Sequence, residues 1–133
     1  MTDHRPLASL LARILLSVIF ITAGYGKLGD VAGFAGYMQS GGVPAFLAWP
    51  VIGLELLGGL AILAGFQTRL AALALAGFSI VAAVLFHYVP ADQMQMIMFM
   101  KNLGLAGGLV MLAAHGAGAW SVDALMSSRK AIA

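Results

Sequence analysis

The sequence predicts an all-α integral membrane protein, a bundle of four helices that each cross the bilayer. Of its 133 residues, 62% are hydrophobic and only 9% are charged, whereas a soluble domain carries about 25% charged residues. The apolar residues fall into four runs, each close to the roughly 20 residues that a helix needs to cross the hydrocarbon. A chain with so few charged residues cannot cover its surface with polar groups, so we expect the surface to contact lipid.

The four predicted spans cover about 7–26, 46–66, 70–89 and 94–114, so that 1–133 forms a single transmembrane domain. The turn at Gln67-Thr68-Arg69 is so short that the second and third spans must form an antiparallel hairpin. Two alternatives are buried helices of a soluble bundle and a cleaved signal peptide in the first run. We favour four spans because no run carries a polar stripe wide enough to face water, and the first continues into Lys27 without a clear processing site.

The basic residues predict the orientation of the bundle. Five of them fall on one side of a four-span arrangement: Arg5, Arg13, Arg69, Arg129 and Lys130. The other side has Lys27, joined by Lys101 if that side chain extends outward. Because lysine and arginine are enriched in cytoplasmic loops, both termini are expected to be cytoplasmic. The net charge of +2 is scattered along the chain and predicts no nucleic-acid partner.

A few ionisable residues interrupt the apolar runs. Placing such a group at the centre of a membrane helix costs about 2.5–3.5 kcal/mol on insertion scales, so each needs a partner or a wet cavity. Glu55 lies about 12 Å into the second span, and Lys101 has a similar depth in the fourth. Gly104 and Gly108 share the helical face of Lys101 and favour an inward direction for it. The sequence therefore predicts a Glu55–Lys101 ion pair.

Other polar side chains gather around this predicted pair. Lys27 and His87 end the first and third spans on the outer side, and Asn102 follows Lys101, whereas Arg13 lies near the cytoplasmic end. The candidate ligand-binding residues are Glu55, Lys101, His87, Lys27, Asn102 and Arg13. The excess of positive charge suits an anionic, carbonyl or quinone-like ligand, and the histidine can carry a proton near neutral pH. The alternative is a salt bridge that only fixes helix register, with Lys27 and His87 at the membrane interface.

The sequence predicts no metal centre. It contains no cysteine, so thiol chemistry and iron–sulfur ligation within the chain are not expected. His87 and His115 fall at opposite ends of the bundle and cannot bracket one haem. Eight methionines, several of them between Met94 and Met100, favour packing or lipid contact over a copper relay.

Several segments, taken in order, resemble the DoxX family of small four-span bacterial membrane proteins. They are Leu11-Ala12-Arg13, Gly24-Tyr25-Gly26-Lys27, Gly41-Gly42-Val43-Pro44, the Glu55-Leu-Leu-Gly-Gly-Leu segment, His87, Lys101-Asn102 and the tail from Gly116 to Asp123. The resemblance covers nearly the whole chain. Ala119 departs from the basic or bulkier residue often found in the tail.

The resemblance implies a multi-pass protein of the bacterial inner membrane, associated with quinol- or thiosulfate-linked oxidoreductase systems. Three functional hypotheses follow. The chain is an auxiliary redox component that uses a diffusible quinone or a partner protein, with no metal or thiol centre of its own and no catalytic residue assigned. Alternatively, it is a non-catalytic scaffold or assembly protein, with small-residue faces that suit homo- or hetero-oligomers. The third hypothesis is a small-solute carrier, for which four spans would require a dimer.

Overall fold

A computed structural model describes residues 2–132, and every regular element in that range is helical. The helices are α1 (Arg5–Leu28), α2 (Val31–Ser40), α3 (Ala48–Ala64), α4 (Thr68–Ala82), α5 (Gln93–His115) and α6 (Val122–Ile132). A 3₁₀ turn, Ala45–Leu47, leads into α3, and a π-helical turn, Ala83–His87, continues α4.

Four segments are long and apolar enough to cross a membrane. They are Arg5–Leu28, Ala45–Ala64, Thr68–His87 and Gln93–His115. Each begins and ends within two residues of the predicted span, so the four predicted helices are confirmed. Only 22–28% of the most apolar stretch of each is buried within the protein. The remaining apolar faces point outward, as expected of helices that contact lipid.

The four long helices pack unevenly. Helix α1 runs along α3, α4 runs along α5, and α3 packs against α4, whereas α1 and α5 touch only briefly. The core between them holds Phe20, Ile62, Leu75 and Leu109, all nearly inaccessible. Three sides of the bundle are therefore closed by helix contact, and the side between α1 and α5 is comparatively open.

The bundle has two distinct ends. We call the end that holds the start of α1, the α3–α4 turn, the end of α5 and helix α6 the terminal end. The opposite end, which holds α2 and the connection between the π-helical turn and α5, is the α2 end. These names carry no assignment of membrane side.

Two arginines stabilise the terminal end. Arg13 Nη1 donates to the carbonyls of Leu63, at 3.0 Å, and Ile62, at 3.5 Å, and its Nη2 donates to the carbonyl of Trp120. Arg69 donates in the same way to the two carbonyls at 113 and 114, near the end of α5. Because the carbonyls of a last helical turn lack intrahelical donors, each arginine caps an antiparallel neighbour.

Asp123, outside the spans, ties the C-terminal segment to the α3–α4 turn. Its carboxylate accepts hydrogen bonds from the backbone amides of Gln67, at 2.8 Å, and Thr68, at 3.0 Å, and its own amide donates to the carbonyl of Gly65. Burial opposes the ionisation of Asp123, but these amide bonds and the charge of Arg13 outweigh it and lower the pKa of the carboxyl. The tail is thus part of the folded bundle.

Candidate functional site

A buried ion pair joins α1 to α3 near the α2 end. Lys27 Nζ donates to Glu55 Oε1 over 2.6 Å. The Glu55 side chain is 2% exposed and that of Lys27 is 25% exposed. The partner of Glu55 is thus Lys27, and the predicted pairing of Glu55 with Lys101 is wrong.

The opposite directions of α1 and α3 bring Lys27 and Glu55 toward each other. In an α-helix the Cα–Cβ bond leans toward the N-terminus. Helix α1 begins at the terminal end, so the Lys27 side chain, near its other end, leans back into the bundle. Helix α3 begins at the α2 end, so the Glu55 side chain leans toward that end and meets Lys27. Helix α5 runs in the same direction as α3, so this lean does not distinguish Lys101 from Glu55. Lys101 is exposed because α5 is rotated so that the next residue, Asn102, faces inward.

The inward face of α5 is centred on Asn102 instead of Lys101. Asn102 is 8% exposed, and its Nδ2 donates to the carbonyl of Ser79 over 3.2 Å. Gly104 borders open space, and Gly108 is the glycine of this stretch that approaches α1, through Leu16. The inward face of α5 is therefore displaced by one residue, or about 100° of helical rotation, from the face of Lys101 that the sequence predicted.

Helix α2 covers the ion pair from the α2 end. The ring of Phe34 lies 5.0 Å from Lys27 Nζ, a cation–π contact. One turn further on, Tyr37 stacks on Phe86 of the π-helical turn, with the ring centroids 5.0 Å apart. These aromatic side chains therefore line the approach to the Lys27–Glu55 pair at this end.

Two cavities flank the pair. The smaller, of about 130 Å³, lies beneath α2 and is lined by Phe34, Tyr37 and Phe86 among others. The larger, of about 250 Å³, reaches between α1 and α5 and includes Lys101 and Asn102 in its wall. Five residues belong to the walls of both cavities, namely Lys27, Glu55, Phe78, Ala82 and His87.

His87 stands at the boundary of the two cavities, at the end of the π-helical turn. Its Nδ1 lies 2.8 Å from Oε1 of Gln95, in the first turn of α5. Single-turn π-helical segments often occur at functional sites, because the extra residue turns a side chain out of the regular helical register. Gln95 was missed from the sequence, because its position three residues after the N-cap Asp92 suggests a role only in starting the helix.

Five of the six candidate residues thus line the larger cavity, and Arg13 does not. Arg13 is 1% exposed, and its guanidinium binds backbone carbonyls at the terminal end, among them that of Leu63. Within residues 2–132, no three histidine, aspartate or glutamate side chains come close enough together to hold a metal ion.

The walls of the larger cavity combine apolar surface with a few hydrogen-bonding groups. One carboxylate, two ammonium groups and one imidazole line it, and hydrophobic side chains such as Ile19, Phe20 and Leu105 supply the rest. In a medium of low dielectric, an oxygen that carries negative charge is attracted to such a site. The ammonium and amide groups can donate to a carbonyl or anionic oxygen, and the imidazole can exchange a proton.

These features define a multi-pass α-helical membrane protein with a polar cavity inside its bundle. The sequence profile of the DoxX family matches residues 8–88. The chain belongs to the DoxX family.

Two relatives from Escherichia coli (strain K12) cover almost the whole chain. "Inner membrane protein YqjF" is 50% identical over 120 residues, 90% of this chain and 92% of the relative. "Inner membrane protein YphA" is 34% identical over 126 residues, 90% of each. With the four apolar helices, they show that the chain is an inner-membrane protein.

A more distant relative from Bacillus subtilis (strain 168) carries the name "Putative oxidoreductase CatD". It is 30% identical over 70 residues, 53% of this chain and 52% of the relative. No solved structure matches the chain.

Proposed function

We propose that this protein is an auxiliary component of a membrane redox system and that it binds a quinone in the larger cavity. The observation that carries the proposal is a buried Lys27–Glu55 pair that lines a cavity together with a second lysine, an asparagine and a histidine. Charged groups in a membrane bundle are costly and usually mark a functional site. The distant likeness to a relative named as an oxidoreductase supports a redox association.

The cavity walls suit a quinone. Its carbonyl oxygens require donors, which Lys27, Lys101 and Asn102 supply, and its ring and tail require apolar surface, which Ile19 and Phe20 provide. When bound, a quinone accepts electrons and protons. His87 is placed to hold a proton at the cavity wall, and Glu55 keeps the Lys27 ammonium directed at the cavity. The electrons that reduce the quinone come from a partner protein.

A second candidate is a scaffold in which the ion pair has only a structural role. It is favoured by one observation, namely that the pair joins α1 and α3, which make the most extensive helix contact in the bundle. A buried polar contact between two such helices can fix their register. In that case the cavity is only a consequence of the packing.

Mass spectrometry of co-purified lipids separates these two candidates. The wild type is compared with Lys101→Met and with the double variant Lys27→Met/Glu55→Leu, which removes the pair without leaving a charge behind. Lys130→Met, in α6 and away from the cavity, is the matched control. We expect a quinone in the wild type and the control, and its loss from the other two variants. Equal quinone content in all four folded proteins, or none in any, supports the scaffold instead.

We also propose that both termini are cytoplasmic, which would place the cavity in the outer half of the membrane. The support is the positive charge of the terminal end, which holds Arg5, Arg69 and Arg129. Single cysteines at Thr2 and Gln39 test this assignment in whole cells, since the native chain has no cysteine. A membrane-impermeant maleimide should label Gln39→Cys and spare Thr2→Cys, and the opposite pattern contradicts the orientation.

A further inference from the structure

The open side of the bundle lies beside the larger cavity. Helices α1 and α5 approach each other at Leu16 and Gly108, where a Cβ added to the glycine would lie 3.3 Å from Leu16 Cδ2. On the α2 side of this contact the larger cavity separates the two helices, with Ala23 in one wall and Met98 in the other. On the terminal side, a second cleft of about 270 Å³ separates them again, lined by Ala12 and Met111 among others.

The gap lies at membrane depth. Lys101 is eight residues after the start of α5, which places it about 12 Å along that helix. The hydrocarbon core is about 30 Å thick. Lys101 lines the cavity and is nevertheless exposed, so it stands at the rim of the gap. Outside this rim, at that depth, the surroundings are lipid.

The approach from the α2 end passes three aromatic rings. Phe34 lies over the Lys27 ammonium, and Tyr37 and Phe86 stack beside it. These rings narrow the smaller cavity, whose volume is about half that of the larger one. A molecule arriving from the bilayer meets the gap between α1 and α5, which no helix within residues 2–132 covers.

The charges indicate which molecule would use this route. Within residues 2–132, Glu55 pairs with Lys27, and no carboxylate lies within ion-pair distance of Lys101. An ammonium held at membrane depth attracts a carbonyl or phenolate oxygen, because little else there can accept its hydrogen bonds. The apolar walls beside it suit the hydrocarbon part of the same molecule.

We propose that the gap between α1 and α5 is a lateral entrance, through which a lipid-soluble molecule with a carbonyl or phenolate oxygen passes from the bilayer to the Lys27–Glu55 pair. Lys101 at the rim binds that oxygen during entry and in the bound state. This proposal rests on the proposed quinone site and adds to it a route and a role for Lys101 during entry.

Reversible cross-linking tests the entrance, and the absence of native cysteine gives it a clean background. Ala23→Cys/Met98→Cys is joined across the gap by a short bis-methanethiosulfonate reagent, in lipid nanodiscs, before or after loading with decylubiquinone. Ala12→Cys/Met111→Cys, in the cleft beyond the Leu16–Gly108 contact, is the matched control. Bound quinone is quantified after mixing with an excess of quinone-free vesicles, with and without reduction of the cross-link.

Cross-linking before loading should exclude decylubiquinone, and cross-linking after loading should retain it until the link is reduced. The control pair should exchange quinone as the wild type does. Unchanged exchange in the linked Ala23/Met98 protein overturns the entrance, while loss of binding in Glu55→Gln would still support the site. If the unlinked double variant is misfolded, Ile19→Cys/Leu105→Cys, from the same cavity walls, replaces it. A wild type that binds no decylubiquinone overturns both proposals.

Lys101 is tested separately by affinity. Lys101→Met should weaken decylubiquinone binding about tenfold, the effect of losing one charge-assisted hydrogen bond. Lys101→Arg should retain most of the affinity, because it keeps a cation at the rim. Equal affinity in wild type and Lys101→Met contradicts the role assigned to this lysine.

Discussion

Removing one member of the Lys27–Glu55 pair should destabilise the protein more than removing both. At 2.6 Å, the attraction between the two charges is about 6 kcal/mol for an effective dielectric constant of about 20. The desolvation of Glu55, which is 2% exposed, offsets most of this gain. The net value of the pair is therefore small, but the cost of leaving one charge alone is large.

The two single variants should differ. Lys27→Met leaves a fully buried carboxylate without its partner and should lower the free energy of unfolding by about 3–5 kcal/mol. Glu55→Leu leaves an ammonium that is already a quarter exposed and can extend toward the headgroups, so the loss should be about 1–2 kcal/mol. The double variant Lys27→Met/Glu55→Leu should remain within about 1 kcal/mol of the wild type.

Reversible unfolding in mixed micelles, followed by circular dichroism, measures all four proteins. The expected double-mutant cycle gives a coupling energy of about 3–6 kcal/mol. Single effects that simply add in the double variant, with a coupling below about 0.5 kcal/mol, would show that the two side chains do not interact.

Three further predictions concern the terminal end. Arg13→Gln should cost about 2–3 kcal/mol in the same unfolding assay, because the carbonyls at the end of α3 lose a charged donor; an unchanged stability would contradict the capping role. The lowered pKa of Asp123 means that its stabilisation is present above about pH 4 and is lost as pH falls through the folded-state value. Acid should therefore release α6 to limited proteolysis in the wild type, and Asp123→Asn should lack this pH dependence; identical profiles would contradict it. Gly65→Ala should cost about 1–2 kcal/mol or more, because Gly65 has a φ of +73° and borders Ser121, whereas Gly77→Ala in open space should cost nothing; equal effects of the two changes would contradict this account.

The hydropathy of the sequence was sufficient to locate the four long helices. Spans of apolar residues have few alternatives in a membrane, since only helices and closed barrels satisfy the backbone there. The same pattern identified the polar residues at the α2 end, because a charge inside an apolar run is easily seen. Glu55 and Lys27 were both candidates before their contact was known.

The pairing of these residues was not predictable from depth alone. Glu55 and Lys101 have similar depths and lie on helices that run in the same direction, but the rotation of α5 about its axis turns Asn102 inward and leaves Lys101 exposed. The glycines of α5 indicated that another helix packs closely there, but they did not indicate which helix. The polar residue of this stretch that is buried is Asn102. The bonds of Arg13 were not predictable either, because they join it to Leu63, 50 residues along the chain, and to Trp120, 107 residues along the chain.

The position of α2 beside the ion pair could also not be predicted from the sequence pattern. Phe34 and Tyr37 are typical of a membrane interface, and nothing local indicates that one would lie over Lys27 and the other on Phe86. The open side between α1 and α5 is likewise a property of packing, because it results from contacts that are not made. Both features decide how the cavity is reached.

Equilibrium binding of decylubiquinone to the purified protein shows whether the cavity beside the Lys27–Glu55 pair binds a quinone. Binding should saturate at one site per chain, be abolished in Lys27→Met/Glu55→Leu and be unchanged in Lys130→Met. Binding that does not saturate, or that is equal in the wild type and the folded double variant, would contradict the proposed site.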